Sequence, residues 1–311
     1  MLGLHNILQS IPSKTYRGLF KYACITDENG NPILLEDGSC ILYEGASALN
    51  ADYQAILNRG TTEGYSLPSA SQQELQNTLV TSLKADSNVW DKLDMLFVFA
   101  NNGSEEYSLI DWKNPTGNLG YAYSDIAWVN TDTDVATAGF TGDGVADYID
   151  TQHIAGTTGS NFDADNFSAS MGIYSETEYS STAGNEYPIT ADSSTQRLRY
   201  FEGTGGFGGN RFLTNANYAG AMVSGSSQRG MMGIQKTANQ TMQPLLGDKT
   251  LGTAQAGKGN ASPSIVSTKL FRYTSNIYGS GNIKLAWVGS KFSTTEWEEY
   301  VTAVDTYIAA L

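Results

Sequence analysis

Asp143, Asp147 and Asp150 fall in one short run, FTGDGVADYIDT (140–151), and His153 lies just beyond it. Carboxylate oxygens gathered this closely are what a calcium ion takes as ligands. The EF-hand pattern does not fit: counted from Asp143, the sixth position is Tyr148 rather than glycine, and no glutamate closes the loop at the twelfth. Two readings remain. The rim of a β-sandwich gathers oxygens for calcium from separate loops, or Gly142 and Gly144 form a turn in which Asp143 or Asp147 accepts backbone amides. With no second histidine near it in sequence, His153 reads as a surface or strand-end residue rather than a ligand.

Other groupings are thinner. Glu176 and Glu178 in ETE would share a strand face, as paired carboxylates of a glycosidase do, but an E-x-D-x-E strand pattern is absent. Two histidines and no G-x-S-x-G leave a Ser-His-Asp hydrolase without support, so no catalytic residue is assigned. EGTGGFGGNRF (202–212) resembles a phosphate loop in its glycines, yet RFLTNANY does not start a helix; the segment reads as a flexible loop carrying Phe207 and Arg211 toward a partner. DADN (163–166) and NTDTDV (130–135) read as solvated loop faces. In GNLGYAYSDIAWVN (117–130), Tyr121, Tyr123 and Trp128 stand near Asn118, Asp125 and Asn130. Aromatic residues at alternate positions line one strand face, which is either core or interface, or a face that contacts glycan.

These groups need elements to hold them. Short apolar runs separated by glycine, asparagine, serine and threonine predict a mainly β chain: FSASMGIY (167–174), LRYFEG (198–203), YAGAMVSG (218–225), RGMMGIQK (229–236), TKLFRYTS (268–275) and IKLAWVGS (283–290). A helix closes the chain, with Ser293 and Glu296 as capping box, Phe292 and Trp297 as hydrophobic staple, and Trp297, Tyr300, Val301, Val304, Ile308 and Leu311 as the apolar stripe. Upstream, residues 49–116 read as a small α+β connector. It has a helix with Tyr53, Ile56 and Leu57 on one face, a second helix capped by Ser71 and Glu74, and a buried strand MLFVFA (95–100). Residues 1–48 read as an N-terminal hairpin from GLFKYACI and ILLEDGSCILYE, too small to bury its own apolar face. Its Leu19, Phe20, Ile33, Leu34 and Leu35 are therefore candidate assembly contacts. Cys24 and Cys40 sit on the two arms, either bonded across the hairpin or as free thiols.

Charge and hydropathy exclude other classes. A net charge of −14, with 18 Lys and Arg against 32 Asp and Glu, leaves no basic stripe for nucleic acid. MLGLHNILQSIPSK lacks a basic start and a sustained apolar core, which predicts no signal peptide and no membrane insertion.

The order of FTGDGVADYIDT and IKLAWVGSKFSTTEWEEYVTAVDTYIAAL resembles the laminin G-like, concanavalin A-like sandwich over residues 117–311. That resemblance implies an antiparallel jelly roll with its terminal helix docked on a sheet. Residues 52–115 resemble a preamble to such a sandwich in virion structural proteins of tailed phages, the crAss-like phages among them. ILLEDGSCILYE is similar to segments of phage fibre and decoration proteins. Together these imply a head fibre, capsid decoration or tail fibre protein located on the virion, with other virion proteins as partners. They also imply a homo-oligomer, a trimer by fibre geometry, and a sandwich displayed toward host-surface glycans. The alternative is a lectin-like carbohydrate-binding module with no virion role. No cofactor is expected other than calcium at the rim.

Overall fold

The computed structural model describes residues 49–311, except 86, 132, 157–160, 164–165, 177–185, 193–196, 203–210, 214–228, 240, 255, 257–265 and 275–276, together with residues 22–24 and 42–44. The chain divides into two compact units, Met1–Leu49 and Asn50–Leu311. In the first, β1 (Tyr22–Cys24) and β2 (Leu42–Glu44) pair antiparallel with Cys24 opposite Leu42. Cys40 and the assembly candidates Leu19, Phe20, Ile33, Leu34 and Leu35 lie outside the described residues.

The second unit begins with α1 (Ala51–Glu63), α2 (Ala70–Lys84), α3 (Val89–Lys92), β3 (Leu93–Val98) and α4 (Glu105–Ser108). Short strands come next: β4 (Tyr121–Tyr123), β5 (Ala127–Val129), β6 (Gly139–Asp143), β7 (Tyr148–Asp150), β8 (Ala169–Ser175), β9 (Glu186–Asp192), β10 (Arg197–Glu202) and β11 (Arg211–Leu213). The chain continues through β12 (Gly230–Ala238), β13 (Thr241–Leu245), β14 (Lys269–Leu270), β15 (Arg272–Thr274), β16 (Ile277–Tyr278), β17 (Ser280–Ile283) and β18 (Leu285–Gly289) to α5 (Thr294–Ala309).

All strand pairings among the described residues are antiparallel, and two sheets carry the sandwich: β11-β10-β9-β14-β7-β4 and β13-β12-β8-β18-β3. Their facing sides meet in one core, with Ile149, Leu270 and Ile189 from the six-stranded sheet against Phe97, Ala286, Met171 and Ile234 from the five-stranded one. A smaller sheet, β17-β6-β5, contributes Ile283 and Phe140 to the same core. The fold is thus an antiparallel β-sandwich with a C-terminal helix.

The outer face of the five-stranded sheet is covered by helices: Trp287 lies there against α5, and the buried Ser170 and Gln235 bond the Ser290 and Phe292 backbone that leads into that helix. Trp287 lies across the strand β8 and its neighbour β12 at Gly172 and Gly233; a Cβ on Gly172 would stand 2.1 Å from the indole. Trp297 and Tyr300 of α5 then pack on Trp287 at ring-centroid distances of 5.7 and 5.3 Å. The start of α5 keeps to its sequence signature: the Ser293 side chain accepts from Glu296 N–H while Glu296 accepts from Ser293 N–H, and Phe292 packs on Trp297. For α2 the cap is Ser69, not Ser71: Ser69 Oγ accepts from Gln72 N–H, and the Gln73 side-chain amide reaches back to donate to the Pro68 carbonyl. No helix among the described residues is long and apolar enough to cross a membrane.

The division expected at 116/117 is absent. β3 pairs with β18 along its length, so the strand assigned to a connector is the edge of the main sheet, and Met95, Phe97 and Phe99 belong to the shared core. That edge is closed by Asp111, whose Oδ1 accepts from the N–H groups of Leu96 and Lys113 at 3.0 Å each. Burial pushes the Asp111 carboxyl up to about 7.

Candidate functional site

The FTGDGVADYIDT segment turns a corner. β6 belongs to the three-stranded sheet and β7 to the six-stranded one, and the residues between them carry the chain across. Gly144 sits at φ +73°, where a side chain would be strained. Asp143 Oδ1 accepts the N–H groups of Val145 (2.7 Å), Ala146 (2.9 Å) and Asp147 (3.1 Å). The Ala146 N–H, with those of Val145 and Asp147, holds the Asp143 carboxyl below the usual range. Burial, and then the neighbouring Asp143, raise that of Asp147. Asp150 is turned elsewhere: Oδ1 accepts from Gln152 N–H and Oδ2 pairs with Lys269 Nζ at 3.1 Å. The three aspartates do not converge, and among the described residues no group of three or more His, Cys, Asp or Glu side chains is placed to hold a metal ion. His153 is buried rather than at the surface. Neither ring nitrogen has a hydrogen-bond partner among the described residues, and burial lowers its pKa to about 4.

The aromatic candidates separate. Ser124 and Asp125, at φ 64° and 57°, turn the chain between β4 and β5 and send those strands into different sheets. Trp128 therefore does not share a face with Tyr121 and Tyr123; it packs against the core and its indole N–H donates to the Phe99 carbonyl (3.4 Å). Tyr121 and Tyr123 stay outside, 58% and 39% exposed, because Ala122 between them takes the inward position beside Ile149.

Register builds the rest of that face. Tyr121 stands opposite Asp150 and Tyr123 opposite Tyr148, while Asp150 stands opposite Lys269. The Tyr123 and Tyr148 rings stack at 4.3 Å, 6° from parallel, and the Arg272 guanidinium lies 4.4 Å from the centre of the Tyr148 ring. Tyr121 lies 6.5 Å from Tyr123 at 57°, and Tyr278 lies 6.3 Å from Tyr148. The phenol of Tyr65, beyond the end of α1, is raised by burial first and then by Glu63, with Arg59 opposing. Tyr148 lies in the segment singled out in the sequence, but its place on this outer face is set by the register that pairs it with Tyr123 and turns Ile149 inward. Arg272 and Tyr278 carry no sequence signal, since only folding brings them beside β7.

The remaining candidates resolve simply. Glu176 pairs with the buried Lys284 (3.2 Å), and Glu178 lies outside the described residues. Asp134 accepts from Ala136 N–H and Thr137 Oγ1, and Asp163 from Asn166 N–H and Nδ2, as loop turns do. The described residues that follow the glycine-rich segment form β11, a strand, where a phosphate loop requires a helix to start. Phe207 lies outside the described residues, and of Arg211 only the strand position is described.

No family model and no curated protein matches the chain. Among solved structures it is similar to the Trypanosoma rangeli sialidase in complex with the inhibitor DANA, at 12% identity and TM-score 0.47, over 75% of this chain and 39% of the sialidase. It is also similar to domain 4 of AbnA, an extracellular GH43 arabinanase from Geobacillus stearothermophilus, at 13% identity and TM-score 0.43, over 68% of this chain and 98% of that domain. A third is the botulinum neurotoxin serotype D binding domain, at 8% identity and TM-score 0.40, over 70% and 51% of the two chains. The sandwich assignment rests on strand order and register, not on these likenesses.

Proposed function

We propose that this chain is a non-enzymatic component of a phage particle, of the head fibre, capsid decoration or tail fibre kind, that holds on through residues 1–48 and meets a host-surface glycan with its sandwich. The observation that carries the glycan half is the pair Tyr121 and Tyr123, two large aromatic rings held in solvent on an edge strand. Tyrosine offers an apolar ring face and a polar tip, the combination that a sugar's C–H face and hydroxyls match. The virion half rests on the resemblance of residues 33–44 and 52–115 to phage structural proteins.

The test uses the full chain on a glycan array, beside the Tyr121→Ala/Tyr123→Ala double variant, with an antibody against residues 117–311 applied to intact particles. Binding to a subset of glycans that the double variant loses, and decoration of particles, is the expected result. A flat array at high protein concentration overturns the adhesion role; unlabelled particles overturn the virion role. A homotrimer is part of the same reading, and light scattering that gives the 33.4 kDa mass of one chain at micromolar concentration counts against it.

A further inference from the structure

The tyrosine face carries a finer statement about its ligand, one that rests on the glycan reading above. Tyr148 is half-buried, and its ring is already partnered by the stacked Tyr123 and the Arg272 guanidinium, so the exposed Tyr121 and Tyr123 are the better surface for a sugar. It acts as a pedestal. Stacking fixes the plane of Tyr123, which stays 39% exposed beside the more exposed Tyr121. Both belong to β4, the edge of the six-stranded sheet, so the two rings succeed one another along a strand rather than closing around a point.

Charge narrows the ligand. Asp125, Asp143 and Asp147 lie at the Tyr123 end, where Asp143 and Asp125 both act on the Asp147 carboxyl. At the Tyr121 end the Asp150 carboxylate and the Lys269 ammonium neutralise each other at 3.1 Å. The Arg272 cation is laid over Tyr148. In a chain of net charge −14, this face repels an anionic sugar. A protein partner is a poorer fit, because the face offers tyrosines without the aliphatic centre that a stable interface buries.

We infer that Tyr121 and Tyr123 are consecutive stacking positions for an extended, neutral glycan chain, with Tyr148 and Arg272 as positioning residues that hold Tyr123 to its ligand.

Isothermal titration of the full chain tests this with neutral cello-, malto-, manno- and β-1,3-gluco-oligosaccharides of increasing length, and with sialyllactose and oligogalacturonate as anionic probes. The expected result is binding to one neutral series that tightens with each of the first few sugars and weakens about tenfold in Tyr121→Ala and in Tyr123→Ala, with the melting temperature unchanged in Tyr121→Ala and lowered by only a few degrees in Tyr123→Ala, which loses its stack on Tyr148. Arg272→Gln weakens the same series and Arg272→Lys, which keeps a cation over the ring, restores most of it. A monosaccharide bound as tightly as the longest oligomer overturns the extended platform while leaving glycan binding intact. Binding confined to the anionic probes overturns the neutral assignment. No binding to these probes or to any glycan of a broad array overturns the adhesion reading as well.

Discussion

A single aspartate shows how a residue that looks like a ligand becomes a structural one. Asp143 commits one oxygen to three successive N–H groups, so Asp143→Ala is expected to cost about 1 kcal/mol of stability, measured by denaturant unfolding, with no change in bound metal by atomic emission. Two buried groups act at the same scale with opposite sign. His153, lowered to about 4, takes up its proton later in the folded chain than in the unfolded one, so its contribution to stability falls as pH drops from about 6.5 to 4. Asp111, raised to about 7, holds its proton longer in the folded chain, so its contribution is full below about 4 and is lost as pH climbs to 7. Asp94 lies close enough to act on both. The slopes oppose each other across one window, each at most about 1.4 kcal/mol per pH unit. His153→Leu is expected to leave stability that declines from pH 4 to 7, and Asp111→Asn stability that rises, in unfolding curves taken through that range. The turn at Asp143 was legible in the sequence because glycine and aspartate state their backbone preference locally. The burial of His153 was not, because nothing beside it in the chain is what buries it.

At the scale of elements, the same contrast separates helix ends from sheet interiors. Ser293, Glu296, Phe292 and Trp297 lie within a few positions of each other, so the start of α5 was written in neighbouring residues. The cap of α2 was misplaced by two positions because Ser69 and Ser71 are chemically alike, and only the observed bond from Gln72 N–H to Ser69 separates them. Gly172 and Gly233 lie inside runs read as strands and carry no signal of their own in the sequence, whereas in the fold they are the floor on which Trp287 lies. Their meaning depends on a residue far along the chain. Gly172→Ala is expected to destabilise the protein by about 3 kcal/mol, since its Cβ would stand 2.1 Å from the Trp287 ring and 2.3 Å from the Met232 carbonyl oxygen. Thermal unfolding followed by tryptophan fluorescence checks this. An alanine variant as stable as the parent would mean that the indole has another place to lie.

For the whole second unit, the feature that composition hid is the pairing of β3 with β18. Residues 52–115 differ in texture from residues 117–311, and that shift suggested a boundary; texture reports helix and loop content, not which strands are neighbours. The sandwich itself was legible from its many short runs, while the membership of β3 was not, since pairing partners leave no mark on periodicity. A chain cut to residues 117–311 is therefore expected to fail to fold, lacking an edge strand and the core side chains Met95, Phe97 and Phe99. Dispersed amide resonances from that fragment would refute this, and residues 50–311 provide the matched comparison. The two partners also emerge from the ribosome far apart in time. About 190 residues separate Val98 from Leu285, so at roughly 5 to 20 residues per second the strand waits on the order of 10 to 40 s for its neighbour. During synthesis its apolar residues are a sticky surface with no native mate, which makes yield sensitive to chaperone supply and to the rate of translation before the last strand is made.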